Sequence, residues 1–224
     1  MGLRIDVSKR LDAFTLEMRL CCPSGRILCV VGPSGAGKTT FIRLLAGLER
    51  PDAGSIVHNG HAWADTAKRV FVPPQRRRVG FVFQDYPLFP HLDLLGNVCF
   101  AAEDEAAAEH WLRRFGIWEL RGRRPGQLSG GERQRGALAQ ALARGPSALL
   151  LDEPFSALDY RTRAVLHETL AEEVDRLAIP AVLVTHDLAE AHALGHRILC
   201  LNQGVSDADW MQEWTGLARP LPGV

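Results

Sequence analysis

The sequence predicts an α/β domain on a mainly parallel sheet, and three observations carry that expectation. Short apolar runs at Ile27–Val31, Val79–Phe83, Leu149–Leu151 and Ala181–Thr185 have the length of buried strands, with β-branched residues frequent in the second and fourth. Helical patterns lie between them, the alternation expected of βα units. Each run also leads into a residue with chemical potential: Gly32, Gln84, the pair Asp152 and Glu153, and His186. Ligands of open parallel sheets bind at the carboxyl ends of the strands, so four separate runs nominate one site.

Length and composition set the bounds. The 224 residues suffice for one large domain with its own core. Hydrophobic residues make up 46% and charged residues 23%, as in ordinary soluble globular chains. Lys and Arg total 26 and so do Asp and Glu, which removes any general electrostatic case for a nucleic-acid partner. The basic runs Arg76–Arg78 and Arg121–Arg124 are expected to be solvated faces. Five cysteines, at 21, 22, 29, 99 and 200, include no Cys-x-x-Cys pair, which fits a reducing compartment better than a disulfide framework. Cys29 lies inside an apolar run and is expected to be buried. Residues 1–10 hold no continuous apolar signal region and no stretch reaches the length of a membrane span. Any membrane role is therefore expected to be peripheral, through a partner.

Along the chain, the segment 3–20 alternates weakly. A short strand at Ser55–His58 sits between turn signals at Pro51–Gly54 and Asn59-Gly60. Together they predict an N-terminal antiparallel β extension. Lys38–Ala46 reads as a helix with Gly47 as its stop. Between Gln84 and Leu128 the strand signals fade and Glu103–Leu112 reads as helical, so a small helical subdomain is expected. The predicted organisation is one domain over 1–224, with a core at about 1–84 and 145–205, the helical subdomain at about 85–144 and a tail at about 206–224.

Gly32-Pro33-Ser34-Gly35-Ala36-Gly37-Lys38-Thr39 fits the phosphate-loop pattern in full, with a strand before it and a helix after it. Glycines let successive N–H groups turn inward around phosphate oxygens, and the helix adds its positive end. Lys38 brings a point charge to the outer phosphates, the Thr39 hydroxyl can ligate Mg²⁺, and Thr40 lies in the same first turn. Alone, the motif says nucleoside triphosphate and not which enzyme.

Ala148–Glu153 is a buried run ending in two acids. Asp152 would hold Mg²⁺ and Glu153 would act as general base, although a pair of solvated acids at a strand end fits the residues as well. Leu128-Ser129-Gly130-Gly131-Glu132-Arg133-Gln134 opens a long helical pattern, and Ser129 and Glu132 have capping-box spacing. The two glycines would let a phosphate approach the Ser129 hydroxyl and the free N–H groups. An ordinary capped helix explains the same residues.

At this point the motifs resemble a family. Leu128–Gln134 is similar to the signature motif of ATP-binding-cassette (ABC) nucleotide-binding domains, with Glu132 where the usual pattern has Gln. The phosphate loop, Leu149–Glu153 as Walker B, Gln84 as Q-loop, Ser156-Ala157-Leu158-Asp159 as D-loop and His186 as switch histidine complete the family's order over about 5–204. The resemblance implies a P-loop NTPase of ABC type that works as a head-to-tail dimer, with ATP and Mg²⁺ between one copy's phosphate loop and its mate's Ser129–Glu132. It implies that Gln84 contacts Mg²⁺ and that His186 contacts the γ-phosphate. Such domains often stack adenine on an aromatic residue well before the phosphate loop. Phe14 is the one candidate here, and it is expected to lie too close to Gly32 in sequence.

Val72–Gly80 running into Phe81–His91 resembles importer ATPases for molybdate, sulfate, ferric iron and polyamines, the molybdate type most of all; thiamine importers stay in play. The implied partners are membrane permease subunits and, indirectly, a substrate-binding protein, at the cytoplasmic face of the plasma membrane. Many such subunits carry a regulatory domain of about a hundred further residues, and none is expected within this chain. Tyr86–Pro90 is apolar and proline-rich and is expected to form a docking groove for a permease helix. Two other classes would leave different marks. An ABC protein of translation or repair usually has paired cassettes, long insertions or a basic surface, and a small-molecule P-loop kinase would need neither Leu128–Gln134 nor His186.

Overall fold

The computed structural model describes residues 1–206, and the tail expected beyond them lies outside the described residues. The chain opens with β1 (Gly2–Arg10) and β2 (Thr15–Pro23), an antiparallel pair in register from Gly2 opposite Pro23 to Arg10 opposite Thr15. Burial alternates cleanly, with Leu3, Ile5 and Val7 on one strand and Leu16, Met18, Leu20 and Cys22 on the other facing the core. The segment that alternates weakly in sequence is thus a well-formed half-buried hairpin. Next come β3 (Ile27–Val31) and α1 (Lys38–Ala46), then β4 (Ala53–His58), β5 (His61–Asp65) and β6 (Val70–Phe71). The first sheet has the order β2-β1-β4-β5-β6 and is antiparallel throughout, a wider version of the expected extension.

The rest of the chain supplies β7 (Val79–Val82), α2 (Leu94–Cys99), α3 (Glu105–Arg114), α4 (Gly130–Ala143), β8 (Ala148–Asp152), α5 (Tyr160–Arg176), β9 (Ala181–Thr185), α6 (Leu188–Leu194), β10 (Arg197–Asn202) and β11 (Val205–Ser206). The second sheet has the order β11-β10-β3-β9-β8-β7, parallel from β10 to β7, with β11 folded back on β10. β3, β8 and β9 are buried at every position, as continuous apolar runs in a covered parallel sheet should be. β10 has no counterpart among the sequence expectations, because polar Arg197 and Asn202 bound its short apolar centre.

Helix ends follow local chemistry. Helix α1 starts after Gly37 and stops at Gly47, both left-handed at φ 102 and φ 78. Helix α3 begins at Glu105 because Asp104 accepts the Ala107 N–H at 2.7 Å, two residues later than the periodicity suggests. Leu94, Val98, Leu112 and Leu138 of the helical stretch share one apolar cluster with Leu149, Leu151 and Leu183 of the sheet. No helix among the described residues is long and apolar enough to cross a membrane. Cys29 is fully buried, as its apolar run predicts.

One expectation fails outright. Arg77, in the middle of a basic run, is 1% exposed. Its Nη1 donates to the carbonyls of Leu44 and Leu45, each at 2.8 Å, and its Nε to that of Val72 at 2.8 Å. Carbonyls in the last turn of a helix run short of backbone donors; the Gly47 N–H reaches the Leu44 carbonyl at 3.2 Å, and Arg77 Nη1 serves both it and that of Leu45. Burial pushes its pKa down to about 10. Arg123 and Arg124 of the second basic run are exposed, as expected.

Candidate functional site

Register brings the predicted residues to one edge. Val31 pairs with Thr185, Asp152 with Val184 and Val82 with Leu151, so the residues that follow β3, β9, β8 and β7 emerge side by side. The N–H of Glu153 extends the pairing to the Val184 carbonyl at 2.9 Å. β7 closes at Val82, and Gln84 therefore leaves from a short exposed segment rather than from the strand end itself.

In the phosphate loop, a Cβ at Gly32 (φ +156) would lie 2.0 Å from the Leu201 carbonyl oxygen, so only glycine fits beside β10. Ser34, Gly35 and Thr39 are exposed and Pro33, Gly37 and Thr40 half-buried, while Ala36 packs inward. Gly37 gives α1 no side-chain cap, and by helix geometry the N–H groups of Lys38, Thr39 and Thr40 have no intrahelical acceptor. Lys38 Nζ donates to the carbonyls of Gly32 and Pro33 at 2.7 and 2.9 Å. Burial lowers its pKa while the charges of Glu153 and Asp152 raise it, which places the ammonium beside both acids. The β1–β2 turn also folds Phe14 onto the loop: its Cε2 lies 3.4 Å from where a Cβ on Gly37 would be. Its short separation from Gly32 in sequence does not keep it from the loop.

Glu153 is the centre of the site. It sits in left-handed backbone at φ 49, a conformation that costs a non-glycine residue and points to external constraint. Its Oε1 lies 3.0 Å from His186 Nδ1, and its Oε2 accepts from Gln84 Nε2 at 3.4 Å. Asp152, buried at the end of β8, has its pKa pushed up to about 6, first by burial and then by the Glu153 charge, with Lys38 opposing. The three predicted catalytic residues thus meet on one carboxylate.

Helix α4 starts as its sequence predicts. Ser129 Oγ accepts the Glu132 N–H at 3.3 Å, and Glu132 Oε2 accepts the Ser129 N–H at 2.7 Å. The glycines have a further use that the sequence does not reveal. A Cβ at Gly130 would stand 3.3 Å from Ala157 Cβ, and one at Gly131 2.8 Å from Leu158 Cδ2, so the helix start packs closely on residues 156–159. Asp159 caps α5, accepting from Arg161 N and Thr162 N at 3.1 and 3.0 Å. Among the described residues no hydrogen bond or ion pair joins Ser129, Gly130, Gly131 or Glu132 to the phosphate loop of the same chain.

Two residues make contacts at the site that the sequence does not reveal. Tyr86 donates its hydroxyl to the Glu153 carbonyl at 2.8 Å and also meets Ser156 Oγ and Gln134. Arg163 bridges Asp187 Oδ2 at 2.9 Å and the Leu158 carbonyl at 3.2 Å. Tyr86 is expected only as part of a docking segment and Arg163 lies in no motif, and their contacts span 67 residues and 24 residues of chain. The segment Tyr86–Pro90 is not uniformly presented. Leu88 is buried, whereas Phe89 is exposed beside Phe100, on a groove of about 270 Å³ also lined by Phe83, Pro87 and Ala137. Leu88 is thus a core residue and not part of a docking face.

The family model described as ABC transporter matches residues 16–156. The molybdenum import ATP-binding protein ModC of Mesorhizobium japonicum is 41% identical over 210 residues, covering 91% of this chain and 56% of that protein. The sulfate/thiosulfate import ATP-binding protein CysA of Mycobacterium tuberculosis is 44% identical over 209 residues, covering 89% of this chain and 58% of that protein. The chain thus spans little more than half the length of these relatives. A bacterial ABC transporter cassette solved as a dimer superposes with a TM-score of 0.78 at 28% identity, covering 92% of this chain and 96% of that one.

Proposed function

Because this chain belongs to the ABC transporter family and has its cassette fold, we propose that it binds and hydrolyses ATP to drive a membrane importer for an oxyanion of the molybdate or sulfate class. The observation that carries the ATPase is the Glu153 carboxylate, held between His186 and Gln84 at the strand ends that also launch the phosphate loop. The named transport of the two relatives supports the oxyanion.

Each residue has a part. The N–H groups of Lys38, Thr39 and Thr40 and the loop Gly32–Gly37 bind the triphosphate, and the Phe14 ring beside Gly37 offers a face for adenine. Lys38 exchanges two backbone carbonyls for phosphate oxygens. Thr39, Asp152 and Gln84 suit Mg²⁺: all three offer oxygen ligands, and the raised pKa of Asp152 marks an anion that a cation would stabilise. When bound, the ion neutralises charge on the outer phosphates. Glu153 accepts a proton from the attacking water as its oxygen bonds to the γ-phosphorus and the bond to the β-phosphate oxygen breaks, giving ADP and inorganic phosphate. His186 orients Glu153 and faces the γ-phosphate.

The reading includes a second copy. Ser129, Gly130, Gly131 and Glu132 present a helix start that serves the partner's ATP, while Ser156–Asp159 packs beneath it. Permease subunits dock on the Phe89 and Phe100 groove and hold the chain at the cytoplasmic face of the membrane; a substrate-binding protein acts through them. The division into a core and a helical subdomain at 85–144 belongs to the same proposal.

The test is uptake. Cells lacking this chain should lose uptake of labelled molybdate or sulfate and regain it with the intact gene, and purified chain should hydrolyse ATP. Hydrolysis with uptake of both anions unchanged rejects the oxyanion; no ATP binding at all rejects the whole reading.

A further inference from the structure

We propose that the Tyr86 hydroxyl is a positioning group for hydrolysis: it pins the backbone of Glu153 to the segment after Gln84 and to helix α4, so that the three move as one. This rests on the ATPase reading above and adds a residue to it.

Hydrogen accounting fixes the direction of every bond. A phenol has one proton to donate and accepts up to two. The Glu153 carbonyl can only accept, so the Tyr86 proton goes there at 2.8 Å. Gln134 Nε2 can only donate, and it does so to the same oxygen. Ser156 Oγ, 2.8 Å away, must then donate as well. Turning the Gln134 amide round would set its oxygen against a hydroxyl whose proton is already committed. The Tyr86 oxygen is therefore saturated by three groups from two segments, helix α4 and residues 153–156, both far from Tyr86 in sequence.

The geometry gives that saturation a purpose. Tyr86 at φ 45 and Glu153 at φ 49 are both non-glycine residues in left-handed backbone. Such conformations persist where surrounding contacts over-determine them. Here the phenol of one strained residue holds the carbonyl of the other. The Glu153 side chain reaches His186 and Gln84 at 3.0 and 3.4 Å, so a small shift of its backbone changes both contacts. Gln134 is 0% exposed and its Oε1 has no partner, so its amide depends on Tyr86. On the other side, Leu88 N–H bonds the Tyr86 carbonyl at 2.8 Å, which ties the hydroxyl to the segment that leads to Phe89.

Tyr86→Phe keeps the ring and removes only the hydroxyl. In the full-length chain, kcat for ATP hydrolysis should fall by about tenfold or more, since small misplacements of a reacting group are costly. ATP affinity should stay within about twofold, because the phosphate contacts are untouched. In a Glu153→Gln background the same change should have no further effect on the residual rate, which a merely structural role would not predict. If Tyr86→Phe alone does not fold, Tyr86→Phe with Gln134→Leu removes both buried partners and should fold with the same loss of kcat. Wild-type kcat in a folded variant, or equal losses in both backgrounds, overturns the proposal. A wild-type chain without any ATP hydrolysis overturns the ATPase reading itself, and this inference with it.

Discussion

The guanidinium of Arg77 fills the space that a side chain at Gly47 would need: a Cβ there would stand 2.6 Å from Arg77 Nε. The contact lies at the far end of the helix whose first turn carries Lys38. A buried cation from the edge of β7 thus fixes the rear of the phosphate helix through the Leu44 and Leu45 carbonyls. Arg77→Ala should lower stability by roughly 3 kcal/mol, since it leaves buried carbonyls without donors and opens a cavity. Arg77→Lys should not restore it, because one ammonium cannot span the acceptors that Nε, Nη1 and Nη2 reach. Urea unfolding checks both, and a midpoint unchanged in Arg77→Ala would contradict the clamp.

Glu153→Gln keeps the size of the side chain and removes its capacity to take a proton. Turnover should drop by about a hundredfold or more. ATP-driven dimerisation, followed by size-exclusion chromatography with and without ATP, should survive, because neither the phosphate loop nor Ser129–Glu132 is altered. Near-normal ATPase activity would remove Glu153 from its role. Lys38→Ala should instead weaken ATP binding by about tenfold or more, since it removes the charge-assisted contact of a buried lysine; unchanged affinity in a binding titration would contradict that.

The Phe89 loop separates coupling from folding. Its backbone is held by fully buried Asn97, whose Oδ1 accepts the Phe89 N–H at 2.6 Å and whose Nδ2 donates to the Phe89 carbonyl at 3.1 Å. The ring is turned outward against Phe100, with centroids 4.7 Å apart. Phe89→Glu should therefore leave ATP binding intact and abolish uptake, while Leu88→Glu should fail to fold because Leu88 is 8% exposed beneath the loop. Transport unimpaired by Phe89→Glu with Phe100→Glu would end the docking proposal.

What the sequence makes legible is local. β3 and β9 are visible because each is a continuous apolar run, and the start of α4 is visible because Ser129 and Glu132 are three residues apart and bond each other. What it hides depends on distant partners. Nothing next to Arg77 announces that helix α1 ends above it, and nothing near Tyr86 announces the Glu153 carbonyl. Leu88 and Phe89 are neighbours of similar character, and only packing against Leu94 and Gly136 distinguishes the inward one. The sequence offers Gly130 and Gly131 as room for a phosphate, and it does not announce that Ala157 and Leu158 also pack against them.

Behind the His186 loop, Glu190 gives the chain a pH dependence. The carboxyl is 5% exposed, its Oε2 accepts from Thr185 Oγ1 at 2.6 Å, and its Oε1 has no partner. Burial raises its pKa from the ordinary 4.5 to about 7; the Thr185 bond and the charges of Arg163 and His186 oppose the rise, and Asp187 adds to it. The folded chain therefore keeps a proton that the unfolded chain gives up at lower pH. That stabilisation is complete below about pH 4.5 and is lost as pH rises through about 7. Its full size follows from the displacement in pKa and is roughly 3 kcal/mol. Glu190→Gln carries no titrating group but can still accept from Thr185. In nucleotide-free protein, the melting temperature of the wild type should fall between pH 5.5 and 8.5 by more than that of Glu190→Gln, and the two curves should converge at the alkaline end only if the amide fits as poorly as the carboxylate. Parallel curves over that range would show that Glu190 titrates at its ordinary value and that the loop bearing His186 is not built over a protonated acid.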